Sequence, residues 1–177
     1  MLFTDRSLWT MVHGVVLGGT ALMALAAALF ALGVMRVADR SDVATDHQSR
    51  SLARLAVFIA GVLWVAVFVG TYIIFLAYRA TPPAGVIDLS PYPRSLLLAN
   101  PDTAWLHAFA MESKEHMPWI ASMLATAVAF VSVRYRSTLL RDAPLRNMAM
   151  ILLAVSFALV SFVGLMGIFI DKVAPLR

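Results

Sequence analysis

Residues 52–78 read LARLAVFIAGVLWVAVFVGTYIIFLAY. Arg54 is the one charged side chain in this run. Twenty-seven residues at 1.5 Å each make a helix of about 40 Å, longer than the roughly 30 Å of hydrocarbon in a bilayer. Lipid offers the backbone no hydrogen-bonding partner, so a run of this kind crosses as a helix that satisfies itself. Three more runs share the pattern: Leu8 to Met35, about 103–134 centred on Met117 to Val133, and Asn147 to Ile170. Little of the 177-residue chain remains for a soluble domain. The first run is longer than the apolar core of a secretory signal and is read as a retained span. The sequence therefore predicts an all-α fold, an integral-membrane four-helix up-down-up-down bundle, with residues 1–177 forming a single transmembrane domain.

Composition agrees. The chain is 61% hydrophobic and 14% charged, with a mean hydropathy of +0.83, whereas soluble domains carry about 25% charged residues. Disorder requires the opposite balance. The absence of cysteine excludes disulfides, thiolate metal sites, thioether-bound haem and cysteine nucleophiles. A net charge of +4 could suggest nucleic acid, but the basic residues are dispersed at span ends, where the positive-inside excess collects them. No phosphate-binding glycine loop, zinc-protease motif or nucleophile elbow is present.

Those basic residues also orient the chain. Arg36, Arg40, Arg50 and Arg54 follow span one, and Arg134, Arg136, Arg141 and Arg146 follow span three. Arg6, Arg79, Arg94, Lys114, Lys172 and Arg177 fall on the opposite side. Eight against six places both termini outside, on the periplasmic face of a cell inner (cytoplasmic) membrane, in a multi-pass protein. The 79–101 loop is then an outer loop. Pro82, Pro83, Pro91, Pro93 and Pro101 predict a stiff, extended cover rather than a helix. Asn100 before Pro101 reads as a helix start. Pro118 predicts a kink in span three. Gly14 and Gly18, and Gly61 and Gly70, are candidate close-packing positions.

Ionisable residues inside spans are functional candidates, and here they cluster. Glu112 and Glu115 are the two glutamates of the chain, and His116 adjoins them. His13 lies about five residues into span one, roughly 8 Å deep. His107 and His116 are nine residues apart and point in opposite directions on a regular helix. In a four-helix bundle, helices one and three are diagonal neighbours. His13 and His116, on diagonal helices at matched depth, are what a bis-histidine b-type haem requires. Arg79, Tyr72 and Arg94 would serve its propionates, and Gly14 would leave room for the ring. Glu112 and Glu115 are candidate proton acceptors. An iron or copper site, with His107, Glu112 and Met111 as alternative ligands to His13 and His116, is a second reading. A structural or assembly subunit without cofactor is a third.

The stretch from Trp105 to His116, WLHAFAMESKEH, together with the paired histidines, resembles small four-helix b-type cytochromes and haem-bearing membrane anchors. It departs from two-haem transmembrane cytochromes, which also carry histidines on the inner side. The resemblance implies one haem near the outer face and an electron-transfer subunit of a respiratory or photosynthetic complex. The implied partners are the lipid bilayer, other membrane subunits or an extrinsic cytochrome, and a quinone, with no nucleic acid. The haem expectation yields a direct test. The purified protein should show a b-type α band on reduction, lost in His13→Ala or His116→Ala and kept in His47→Ala. A colourless protein after haem-replete expression would refute it.

Overall fold

The computed structural model describes residues 4–34 and 42–175, with side chains of 42–45 left aside. The expected span end at Met35, and Arg36, Arg40 and Arg177 of the charge comparison, lie outside the described residues. Among the described residues four helices are long and apolar enough to cross a membrane: α1, Asp5–Val34; α2, Asp46–Tyr78; α4, Pro101–Arg141; and α5, Ala143–Val173. A short helix, α3, Pro93–Leu98, lies between α2 and α4. No strand forms among the described residues.

The four long helices pack in a ring. Helix α2 lies against α1 and α4, and α5 against α4 and α1, which leaves α1 and α4 diagonal. The shared core is built from small residues as much as large ones. Helix α4 buries Ala121, Ser122, Ala125, Val128, Ala129 and Ser132. Their three- and four-residue spacing keeps them on one stripe. Small side chains let helix backbones approach where lipid removes the hydrophobic drive between helices. Ala21, Leu25 and Ala28 of α1, Ala56 and Ile59 of α2, and Ala149 and Leu153 of α5 complete the cluster. Of the expected glycines, Gly70 does lie at a close approach, where an added Cβ would meet the His13 ring at 2.9 Å. A Cβ built on Gly14 or Gly61 meets nothing within 4 Å.

Ser122, Thr126 and Ser156 are hydrogen-bonded in this core, whereas the Ser132 hydroxyl is buried without a partner among the described residues. Ser122 donates to the Pro118 carbonyl at 2.8 Å and Thr126 donates to the Ser122 carbonyl at 2.7 Å. The indole N–H of Trp64 donates to Thr126 Oγ1 at 2.9 Å, joining α2 to α4. Ser156 reaches the Ala121 carbonyl at 3.2 Å, joining α5 to α4. Trp64, Phe68 and Trp119 add edge-to-face ring contacts along the α2–α4 seam.

Helix α4 continues through Pro118, and its non-helical dihedrals fall at Arg136 instead, at φ 24° and ψ −104°. The 79–100 connection is also less extended than its prolines suggest. Pro93 sits in the first turn of α3, where no N–H is needed. Asn100 caps α4, its side chain accepting from the Asp102 N–H at 2.9 Å. Pro93 and Leu97 are fully buried. Leu97 belongs to a second apolar cluster with Tyr78, Leu106, Ala110, Met111 and Ile170. The connection therefore plugs this end of the bundle, called here the proline-loop end. Replacing a buried leucine by alanine costs about 2–5 kcal/mol. Leu97→Ala should open the 79–100 connection to added protease, while Leu98→Ala, on the exposed side of the same helix, should not. Equal cleavage of both variants would mean that Leu97 does not seat the plug.

Candidate functional site at the proline-loop end

Three of the four long helices depart from α-helical winding, and all three do so at the proline-loop end. The π-helical turns are Val12–Gly18 in α1, Gly70–Ile74 in α2 and Leu106–Met111 in α4. A π turn widens the i→i+4 ladder to i→i+5 and inserts one residue, and such turns recur at functional sites. The first contains His13, the second opens on Gly70, and the third contains His107.

The turn in α4 alters the phase between its histidines. One inserted residue removes about 100° of rotation, so nine residues separate His107 and His116 by roughly 80° rather than 180°. The expectation of opposite faces rests on regular winding, which this turn interrupts. Both histidines act on Glu115, as do Arg79 and Glu112. Tyr78, buried at the end of α2, places its hydroxyl 2.9 Å from His107 Nδ1. Arg94 and Glu115 are the charged groups that act on Tyr78. The Arg79 guanidinium lies 5.3 Å over the Phe75 ring. Tyr78, Arg79, Arg94, His107, Glu112, Glu115 and His116 thus form one polar cluster beside the plug.

His13 belongs to a different group. Its ring rests on Gly70, where an added Cβ would lie 2.9 Å from Cε1. The Ala66 backbone of α2 is a neighbour, and Lys114 is the charge it meets. Its Nδ1 is buried without a partner among the described residues. Lys114 crosses toward α5, where its Nζ would lie 2.7 Å from a Cβ on Gly167. Asp171, one turn beyond Gly167, is the charge that acts on Lys114.

His13 and His116 are therefore not brought face to face. Trp119 contacts Phe68, so the levels of His116 and Gly70 are comparable, but α4 turns Lys114 toward His13. His116 is exposed. Its Nδ1 is 2.9 Å from the Glu112 carbonyl, which leaves Nε2 open. Tyr72 is exposed and stacks on Phe68, away from the cluster. Gly14 is exposed, and the glycine that accommodates an imidazole is Gly70. Met111 is buried in the plug cluster. Among the described residues, no three His, Asp or Glu side chains converge as metal ligands would. The iron or copper reading gains no ligand set from this geometry.

Sequence reasoning found the glutamates and histidines, and set Tyr78 on this side as a propionate partner, but missed its pairing with His107 and the Lys114–Gly167–Asp171 group. A lysine between two glutamates, and a glycine one turn before an intramembrane-edge aspartate, were the available signals. No protein-family model, curated protein or solved structure matches the chain.

The contact at Gly70 gives a test. Gly70→Ala should destabilise the detergent-solubilised protein by about 1–3 kcal/mol, as overpacking does. The His13→Ala/Gly70→Ala double variant should recover most of that loss, and Gly14→Ala should change little. No recovery in the double variant would mean that the imidazole does not set the requirement for glycine.

Proposed function

We propose that the chain is a multi-pass subunit of a membrane electron-transfer assembly, and that it handles the protons of a quinol at the proline-loop end. The observation that carries this reading is the Tyr78 Oη to His107 Nδ1 bond beside Glu115. Quinol oxidation releases two protons and two electrons. The electrons would pass to a redox centre of a neighbouring subunit or an extrinsic cytochrome, and the protons need bases at the site. In the tautomer where His107 Nδ1–H donates to Tyr78 Oη, Nε2 is a free base. Glu115, within charge range of both histidines and Arg79, is the carboxylate placed to take the proton onward. Glu112 is more exposed and offers its carbonyl to His116, so its side chain is the weaker candidate of the two.

The same reading includes the finer topology. The pairs His13–Gly70, Tyr78–His107 and Lys114–Gly167 join early residues of one helix to late residues of its neighbour, which supports an up-down-up-down bundle. The positive-inside bias then puts both termini and the proline-loop end on the periplasmic side of the inner membrane.

A b-type haem is the second reading, favoured by one observation. His116 is anchored through Nδ1 with Nε2 open, the arrangement an axial imidazole takes. His13 does not complete the pair, because its ring lies on Gly70 and Lys114 stands on the α4 side. The residues present do not fit a haem between His13 and His116, and no step is assigned to one.

Stopped-flow reduction of the intact assembly by quinol separates these roles. Loss of a positioned base lowers rates by roughly 10²–10⁴-fold. Glu115→Gln should fall in that range, Tyr78→Phe should be intermediate, and Glu112→Gln should stay within about twofold of the parent. Equal rates in all four proteins would remove the proton-acceptor role. A cofactor-free structural subunit would leave assembly dependent on this chain but quinol kinetics indifferent to these substitutions.

A further inference from the structure

The end of the bundle opposite the plug carries a second, unrelated feature. Helix α4 breaks at Arg136, whose positive φ of 24° is costly for a residue with a side chain. The last turn beyond the break folds inward, burying Leu139 and Leu140 in the main core. Arg146 fixes that turn by donating from Nη1 to the Leu140 carbonyl at 2.8 Å. An open surface hollow of about 600 Å³ lies in the elbow, lined by Phe130, Val133 and the run from Arg134 to Thr138.

Its chemistry divides along the helix axis. Phe130 and Val133, at the end of the apolar run, are exposed toward the space that lipid chains fill. Arg134 and Arg136 follow, with two hydroxyl donors beyond them. Among the described residues neither arginine makes an ion pair. The Arg134 guanidinium is held 5.7 Å over the Tyr135 ring. Two guanidinium groups without an ion pair among the described residues, and two hydroxyls, stand at a span end above an apolar flank and match a phosphodiester with acyl chains attached. Basic pockets at membrane interfaces bind anionic headgroups in this manner, and arginine engages phosphate oxygens in bidentate fashion.

We propose that the elbow at Arg136 is a binding site for the headgroup of an anionic phospholipid. Arg134 and Arg136 hold the phosphate, Ser137 and Thr138 donate to its oxygens, and Phe130 and Val133 receive the acyl chains. The site does not depend on the quinol reading, which concerns the other end of the bundle.

Native mass spectrometry of the purified chain in detergent tests it, with dioleoyl-phosphatidylglycerol, dioleoyl-phosphatidylcholine or inorganic phosphate added. Each basic residue near a headgroup is worth about fivefold in affinity, so two predict a roughly twenty-five-fold preference for phosphatidylglycerol over phosphatidylcholine. Arg134→Gln/Arg136→Gln should reduce the preference to within about threefold, while Arg50→Gln/Arg54→Gln should retain it. Equal retention of the two lipids by the parent protein overturns the proposal. Displacement of phosphatidylglycerol by equimolar inorganic phosphate overturns the lipid assignment and leaves a free-phosphate site. Both measurements use the parent chain, so they decide the question even if the double variant does not fold.

Discussion

The backbone of a membrane span must find all its hydrogen bonds within itself, and the rest of this structure follows from that constraint. It forces the apolar runs into helices and makes any local rewinding take helical form. The π turns at Val12–Gly18, Gly70–Ile74 and Leu106–Met111 are such rewindings. They re-aim side chains without exposing backbone to lipid. Strand-like or irregular breaks would leave N–H and C=O groups unpaired at a cost of several kcal/mol each. That the π turns coincide at one end ties the chemistry of that end to the helices rather than to a mobile loop.

Association of the spans rests on a different force. Lipid chains are as apolar as leucine, so helix contact is gained by close packing and by hydrogen bonds between helices. The Ala/Ser stripe of α4 supplies the first. Trp64 to Thr126 and Ser156 to Ala121 supply the second. The plug of Pro93 and Leu97 then closes one end, so that Tyr78 and Met111 are buried beneath it. The polar cluster of Glu115, His107 and Arg79 stands beside that plug, where partial burial strengthens each interaction among its members.

The two ends carry different chemistry. The proline-loop end gathers ionisable groups that can exchange protons. The opposite end turns arginines, a helix elbow and an apolar flank toward the interface. Lys114 links the first of these to the bundle interior, lying between His13 on α1 and Asp171 on α5. Gly167 stands opposite the lysine tip, and Gly70 opposite the His13 ring.

The sequence alone determined the number of long apolar helices, the start of α4 at Asn100 and Pro101, and the gathering of histidines and glutamates near one end. These are readable because they depend on composition and on short-range geometry: twenty apolar residues, a capping side chain, a four-residue spacing. Tertiary structure decided which face each residue presents. A π turn is not encoded by any single residue type, yet its one inserted residue moves His107 toward the side of His116 and Glu115. The same kind of phase error undid the pairing of His13 with His116, since depth can be counted along a helix but rotation depends on the neighbours it packs against. Gly14 and Gly70 look alike in the sequence. Only the packing of α1 on α2 made one of them face open space and the other an imidazole, because a glycine acquires its role from the atom that occupies the place of its missing side chain.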